Sequence, residues 1–190
     1  MQYTQDYDES YPKRWYDPGY SWRQVVQSYI KSSQVFSCPS NSEKSVIADA
    51  AQTANGMNYP AITRSYACND RIISDGGWNN GKPYALAQVN TPAQKILICE
   101  MRWQNWQDYG SSWWNGWGWD TASCQHTGTV TYAMADGHVK AMKPTSTATP
   151  FNMWGGMENG TYGNSHDVNV DGVEPSILNG LRGVEQNQCQ

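Results

Sequence analysis

The stretch that most constrains the fold is "TVTYAMADGHVKAMK", residues 129–143. Two strand-like runs flank Asp136-Gly137, and an Asp-Gly pair supplies the positive φ angles of a two-residue type I′ hairpin loop. With such a loop Ala135 pairs with His138, Met134 with Val139 and Tyr132 with Ala141. Val130, Tyr132, Met134, Val139 and Ala141 then share the core face. His126 stands ten positions before Asp136. At about 3.3 Å per residue, an extended strand would hold the two roughly 30 Å apart. A general base and its partner need about 3 Å. The expected roles are therefore structural: Asp136 and Gly137 build the turn, and His126 fixes the strand's entry. Only a sharp bend at Gly128 would change that.

A hairpin needs a core to lie on, and here the usual material is scarce. Leu, Ile, Val and Phe together fall below about a fifth of the chain, a level associated with disorder. Against disorder stand a net charge of only −4 and ten Trp with twelve Tyr, which supply large buriable surfaces. The composition predicts a folded domain with an aromatic and Val core and wide Gly-, Asn- and Ser-rich loops. The thirteen basic residues form no run and the pI is about 5.3, so no nucleic-acid partner is expected. No signal peptide and no apolar run of membrane length is present, and the chain as given reads as soluble.

Five cysteines, at 38, 68, 99, 124 and 189, include no C-x-x-C pair. That argues against a zinc ribbon or a thioredoxin-type site. Their wide spacing suits an oxidising, extracytoplasmic setting with one or two disulfides, at least one thiol being free or bonded between chains. Cys124 lies two residues before His126, on one face of a strand. A Cys-His pair needs a third member or an oxyanion signature to become a nucleophile, and neither is evident, so no enzymatic activity is expected.

Along the chain, "MQYTQDYDESYPKRW" reads as the last turns of a helix ending before Pro12. In "SWRQVVQSYIKSS", Ser21 is an N-cap candidate, and Trp22, Val25, Val26, Tyr29 and Ile30 fall on one face of a short amphipathic helix. Residues 33–60 read as a loop with one helical turn near Val46 to Ala51. "ITRSYACND" and "TPAQKILICEM" read as strands, the second buried. A Gly/Asn-rich tail closes the chain.

The spacing His126, nine residues, Asp136-Gly137 resembles the C-terminal signature of prepilin-type proteins that carry this motif. Four further segments match in family order. "QYTQDYDESYP" resembles the end of the family's long N-terminal helix, "VFSCPS" its Cys-Pro stretch, "RSYACN" its Ser-Tyr strand, and "TPAQKILICEM" the strand before the signature. The resemblance implies an α+β, pilin-like head, in which the C-terminal end of a long N-terminal helix packs on a small antiparallel sheet with long aromatic-rich loops. Residues 1–143 would form this domain, with 1–11 the end of the helix, and 144–190 a loop-rich extension packed on it. It implies a structural subunit of an extracellular type IV pilus-like or pseudopilus filament at the bacterial cell surface. Identical subunits would be its partners, and a membrane would be reached only through an N-terminal helix that the sequence lacks. The family brings no catalytic residues.

Two other constellations carry chemistry. In "DVNVDGVE", Asp167, Asn169, Asp171 and the carbonyl of Val173 match positions 1, 3, 5 and 7 of a calcium loop, with Gly172 at its turn. The closing acid is missing, since Leu178 holds that place; Glu174 or Glu185 would have to substitute, and an Asx-turn-rich loop is the competing reading. Six tryptophans crowd residues 103–119. Trp113, Trp114, Trp117 and Trp119 suit burial or a subunit interface, or else stacking on sugar rings. The second option defines the alternative function, a monomeric extracellular carbohydrate-binding β-domain.

Overall fold

The computed structural model describes residues 2–17, 19–63, 65–69, 72–74, 82–101, 124, 126–154 and 175–189. The chain is α+β, built of short helices and small antiparallel sheets. Helix α1 covers only Gln2–Asp6, so the long N-terminal helix expected through residue 11 is not seen. Its stop is local: Asp8 and Glu9 adopt left-handed φ values of 49° and 56°, which no right-handed helix accommodates. Ser10 then bridges to Ala85, and Tyr11 N–H donates to the Tyr84 carbonyl at 2.8 Å.

Two small hairpin systems follow. Strands β1 (Trp15–Tyr16) and β2 (Tyr20–Ser21) pair antiparallel. Helix α2 (Trp22–Val25) continues as a 3-10 turn over Val26–Ser28. Gln24 Oε1 accepts from Ser21 N–H at 3.2 Å, the reciprocal half of a capping box. Where a loop with a helical turn was expected, residues 47–59 carry three strands, and a fourth, at 62–63, falls in a segment expected as a strand. β3 (Ile47–Asp49) pairs with β6 (Ile62–Thr63), and they enclose the hairpin of β4 (Gln52–Ala54) and β5 (Met57–Tyr59). Asn55 and Gly56, at φ 52° and 75°, make its two-residue loop, the type I′ geometry for which Asn-Gly is suited.

Four strands form the central sheet, in the order β10-β9-β8-β7, all antiparallel. They are β7 (Tyr66–Cys68), β8 (Ile96–Glu100), β9 (Val130–Met134) and β10 (Val139–Met142). The hairpin of β9 and β10 is present, but not in the expected register. Val139 pairs with Ala133, Lys140 with Tyr132 and Ala141 with Thr131. Gly137 N–H bonds the Met134 carbonyl and Met134 N–H the His138 carbonyl, so the loop holds three residues, Ala135 to Gly137. That is a turn closed by a positive-φ glycine, Gly137 at 95°. One extra loop residue turns the second strand over. Val130, Tyr132 and Met134 are buried as expected, whereas Val139 is 61% exposed and Ala141 is also exposed.

β8 carries a bulge as well. Ile96 pairs with Met134 but Ile98 with Ala133, so one extra residue sits between them. Ile96 and Cys99, three positions apart, therefore share one face, which they pack with Ala67, Val130, Tyr132, Met134 and Trp154. The opposite face meets Trp22, Phe36, Ile62 and Ile73 through Leu97 and Ile98. Each fully buried Ile or Met contributes about 1.5–3 kcal/mol. Burial on both faces is why β8 reads as an unbroken apolar run.

The tail holds the longest described helix, α3 (Pro175–Gln188). Leu181 and Val184 are buried, Leu181 against Ala148 and Val184 in the Trp154 cluster. Cys189 is bonded to Cys124, so one disulfide of the one or two expected is present. Cys38 and Cys99 are free thiols, and Cys68 is buried. Among the described residues no helix is long and apolar enough to cross a membrane.

Tyr132 is fully buried, edge-on to Trp154, and its hydroxyl finds no hydrogen-bond partner among the described residues. A buried, unbonded hydroxyl costs free energy. Tyr132→Phe is therefore expected to leave stability unchanged or raise it by up to about 1 kcal/mol. Urea denaturation is the check, and a loss beyond that margin would reveal a partner for the hydroxyl.

Candidate functional site

Three residues from separate segments converge at the end of the central sheet. Cys38 follows the 3-10 turn Ser33–Phe36, and its carbonyl accepts from Asn41 N–H. Asn41 Nδ2 in turn donates to Ser65 Oγ and the Met101 carbonyl, at 3.0 and 3.1 Å. This pins the Cys-Pro turn against the end of β8. Glu100 is the last residue of β8. His126 precedes a reversal at Thr127 and Gly128, whose φ values are 45° and 81°. His126 and Thr129 form an isolated bridge across it, and Thr129 Oγ1 donates to the His126 carbonyl at 2.8 Å.

The bend at Gly128 is thus real, but it delivers His126 to Glu100 and not to Asp136. His126 Nε2 lies 2.8 Å from Glu100 Oε1 and 3.4 Å from Cys38 Sγ. Cys38 Sγ lies 4.0 Å from the same Glu100 oxygen. The second oxygen, Oε2, accepts from Thr131 N–H at 2.7 Å, which fixes the carboxylate plane. Cys38 and Glu100 are buried, whereas 41% of the His126 side chain is exposed.

A buried carboxylate is costly unless it is hydrogen-bonded or paired. Glu100 receives the Thr131 amide and the imidazole. Its field reaches neighbours: burial first, then Cys38 and Glu100, push the Tyr66 phenol up to about 12. Burial, then Glu100, push the Cys99 thiol up to about 12 as well. Cys99 therefore stays a neutral core thiol near neutral pH, distinct in character from a metal ligand.

The geometry is not that of a nucleophile relay. In such a relay the base holds the nucleophile with one ring nitrogen and its orienting acid with the other. Here thiol and carboxylate both crowd Nε2, and the three atoms lie within 4.8 Å of one another.

Asp136 and Gly137 lie at the hairpin turn instead. Asp136 accepts from His138 N–H at 3.1 Å and also contacts the His138 ring. The His138 amide bond, then the ring, hold its carboxyl below the usual carboxylate range. Cys124, two residues before His126 in the sequence, is in the disulfide. The calcium-loop residues Asp167, Asn169, Asp171 and Val173 lie outside the described residues, as do Trp113, Trp114, Trp117 and Trp119. Of the substitute acids, Glu185 accepts from Thr145 N–H and Oγ1 at 2.8 and 2.6 Å. Cys38 and Glu100 were not singled out in the sequence. The signal was available, since "VFSCPS", "ILICE" and "QHTG" each hold at least one metal-competent side chain.

No family model, no curated protein and no solved structure matches the chain.

Proposed function

We propose that this chain is the head of a pilin-like structural subunit, exported to an oxidising environment and assembled with identical copies into a filament. The observation that carries this reading is an open apolar groove on the outer face of the central sheet, beside α2. Trp22, Val35, Phe36, Ile98, Ala133 and Val139 are among its lining residues. Val35 and Val139 are each more than half exposed. A second opening of about 360 Å³ lies at the seam between α1 and β8, bounded by Tyr3, Tyr11, Ile30 and Leu97. An apolar groove with exposed Val35 and Val139 at its rim suits contact with another chain. Three of the segments that resemble prepilin-type proteins supply strands β7, β8 and β9–β10 of that sheet. The Cys124–Cys189 disulfide is consistent with export.

The test is electron microscopy of native material, tracing one subunit and whatever precedes Met1. Thin filaments with a core of parallel helices are expected. Val139→Lys, placed on the groove, is expected to abolish filaments while changing subunit stability by no more than about 0.5 kcal/mol, as for other surface changes. Dispersed monomers in the native material, or filaments of the Val139→Lys protein at wild-type yield, would overturn the reading.

A further inference from the structure

We propose that Cys38, Glu100 and His126 form a binding site for a zinc-class divalent cation, with a fourth coordination position open to solvent on the His126 side. This stands apart from the filament reading and does not depend on it.

The one acceptor-capable atom from each residue, Cys38 Sγ, Glu100 Oε1 and His126 Nε2, lie within 4.8 Å of one another. Zinc bonds of about 2.0–2.3 Å in tetrahedral array place neighbouring donors roughly 3.3–3.6 Å apart. The three separations, 2.8, 3.4 and 4.0 Å, bracket that range, so shifts of a few tenths of an ångström complete the triangle. The donor set is thiol, imidazole and carboxylate. Sulfur and nitrogen donors select zinc-like borderline ions over calcium and magnesium, which prefer oxygen. The Thr131 amide holds the carboxylate's other oxygen, the outer support that metal-ligating carboxylates characteristically receive. Two ligands are buried and the third is part exposed, so an ion can enter from one side, and water can fill the remaining position. On binding, the Cys38 thiol gives its proton to solvent as the sulfur–metal bond forms, and the His126 proton shifts from Nε2 to Nδ1 so that the Nε2 lone pair can face the ion.

Cobalt(II) is the probe, used on chelator-treated protein with its disulfide intact. One equivalent should bind, producing a near-ultraviolet thiolate-to-cobalt charge-transfer band and the intense visible bands of a four-coordinate ion, both erased by added zinc. Cys38→Ser should remove the charge-transfer band. His126→Gln, at a part-exposed side chain and so compatible with folding, should weaken cobalt binding by about tenfold or more with an unchanged far-ultraviolet circular dichroism spectrum. A cobalt spectrum without the thiolate band would overturn the proposal and leave a hydrogen-bonded clasp. Persistence of the band in Cys38→Ser, or undiminished affinity in His126→Gln, would do the same.

Discussion

Replacing Cys124 and Cys189 together by alanine is expected to lower stability by about 4 kcal/mol, the cost of reopening a long loop in the unfolded chain. The bond spans a sequence separation of 65 residues. For a chain of this size each kcal/mol moves Tm by roughly 2–4 °C, so a fall of roughly 8–16 °C is expected. The folded-state side of the effect is local. Cys124 leads into the His126–Thr129 reversal, and Cys189 follows α3. The Cys189 carbonyl lies only 3.3 Å from where a Cβ on Gly128 would stand. The bond thus fixes α3, with Leu181 and Val184, onto the sheet it covers. Scanning calorimetry of the double variant is the measurement. A Tm within 2–3 °C of wild type, under about 1 kcal/mol, would mean that packing alone holds the helix.

Asp49→Ala is expected to cost about 3–5 kcal/mol, because it strands a buried guanidinium. Arg23 is fully buried on α2, and Nη1 lies 3.3 Å from Asp49 Oδ2 on β3. Its Nη2 donates to the Tyr66 carbonyl of β7 at 2.7 Å, and its guanidinium carbon lies 4.8 Å over the Trp22 ring. One side chain therefore joins the peripheral hairpins to the central sheet. Replacing both members by apolar residues, Arg23→Met with Asp49→Leu, should cost much less than the single change, since neither charge then needs solvation. Chemical denaturation in a double-mutant cycle separates the two. If the double variant is as unstable as Asp49→Ala, the pair holds the hairpins by geometry rather than by charge satisfaction.

These residues also mark what was legible in the sequence. The apolar run of β8 and the alternation of β9 gave both strands correctly, because burial on one or two faces leaves a direct pattern. The Asp-Gly hairpin was recognised, but its loop length was not, and one residue decided the face of Val139. Asn55-Gly56 carried an equally strong signal and went unread, its flanking strands being too short to show alternation. The helical spacing marked Trp22, Val25 and Val26 as the apolar face of α2 and left out Arg23 and Gln24. They are buried too, Gln24 Nε2 donating to the Ala50 and Pro60 carbonyls, because β3 to β6 cover their side. Such coverage is tertiary and leaves no period in α2 itself. The convergence of Cys38, Glu100 and His126 was hidden for a similar reason. Separations of 62 and 88 residues are closed only by sheet pairing and a tight reversal.

The extra residue in β8 sets the phase of everything after it. Counted from Ile96 in strict alternation, Ile98 and Glu100 would point with it into the aromatic and methionine core, and Cys99 would point away. The added residue inverts that order: Cys99 joins the core and Glu100 emerges on the side of Cys38 and His126. A carboxylate's fate, apolar interior or matched partners, thus hangs on a single-residue change of frame within one strand. By the same logic, a one-residue deletion within β8 would reverse both faces beyond it at once.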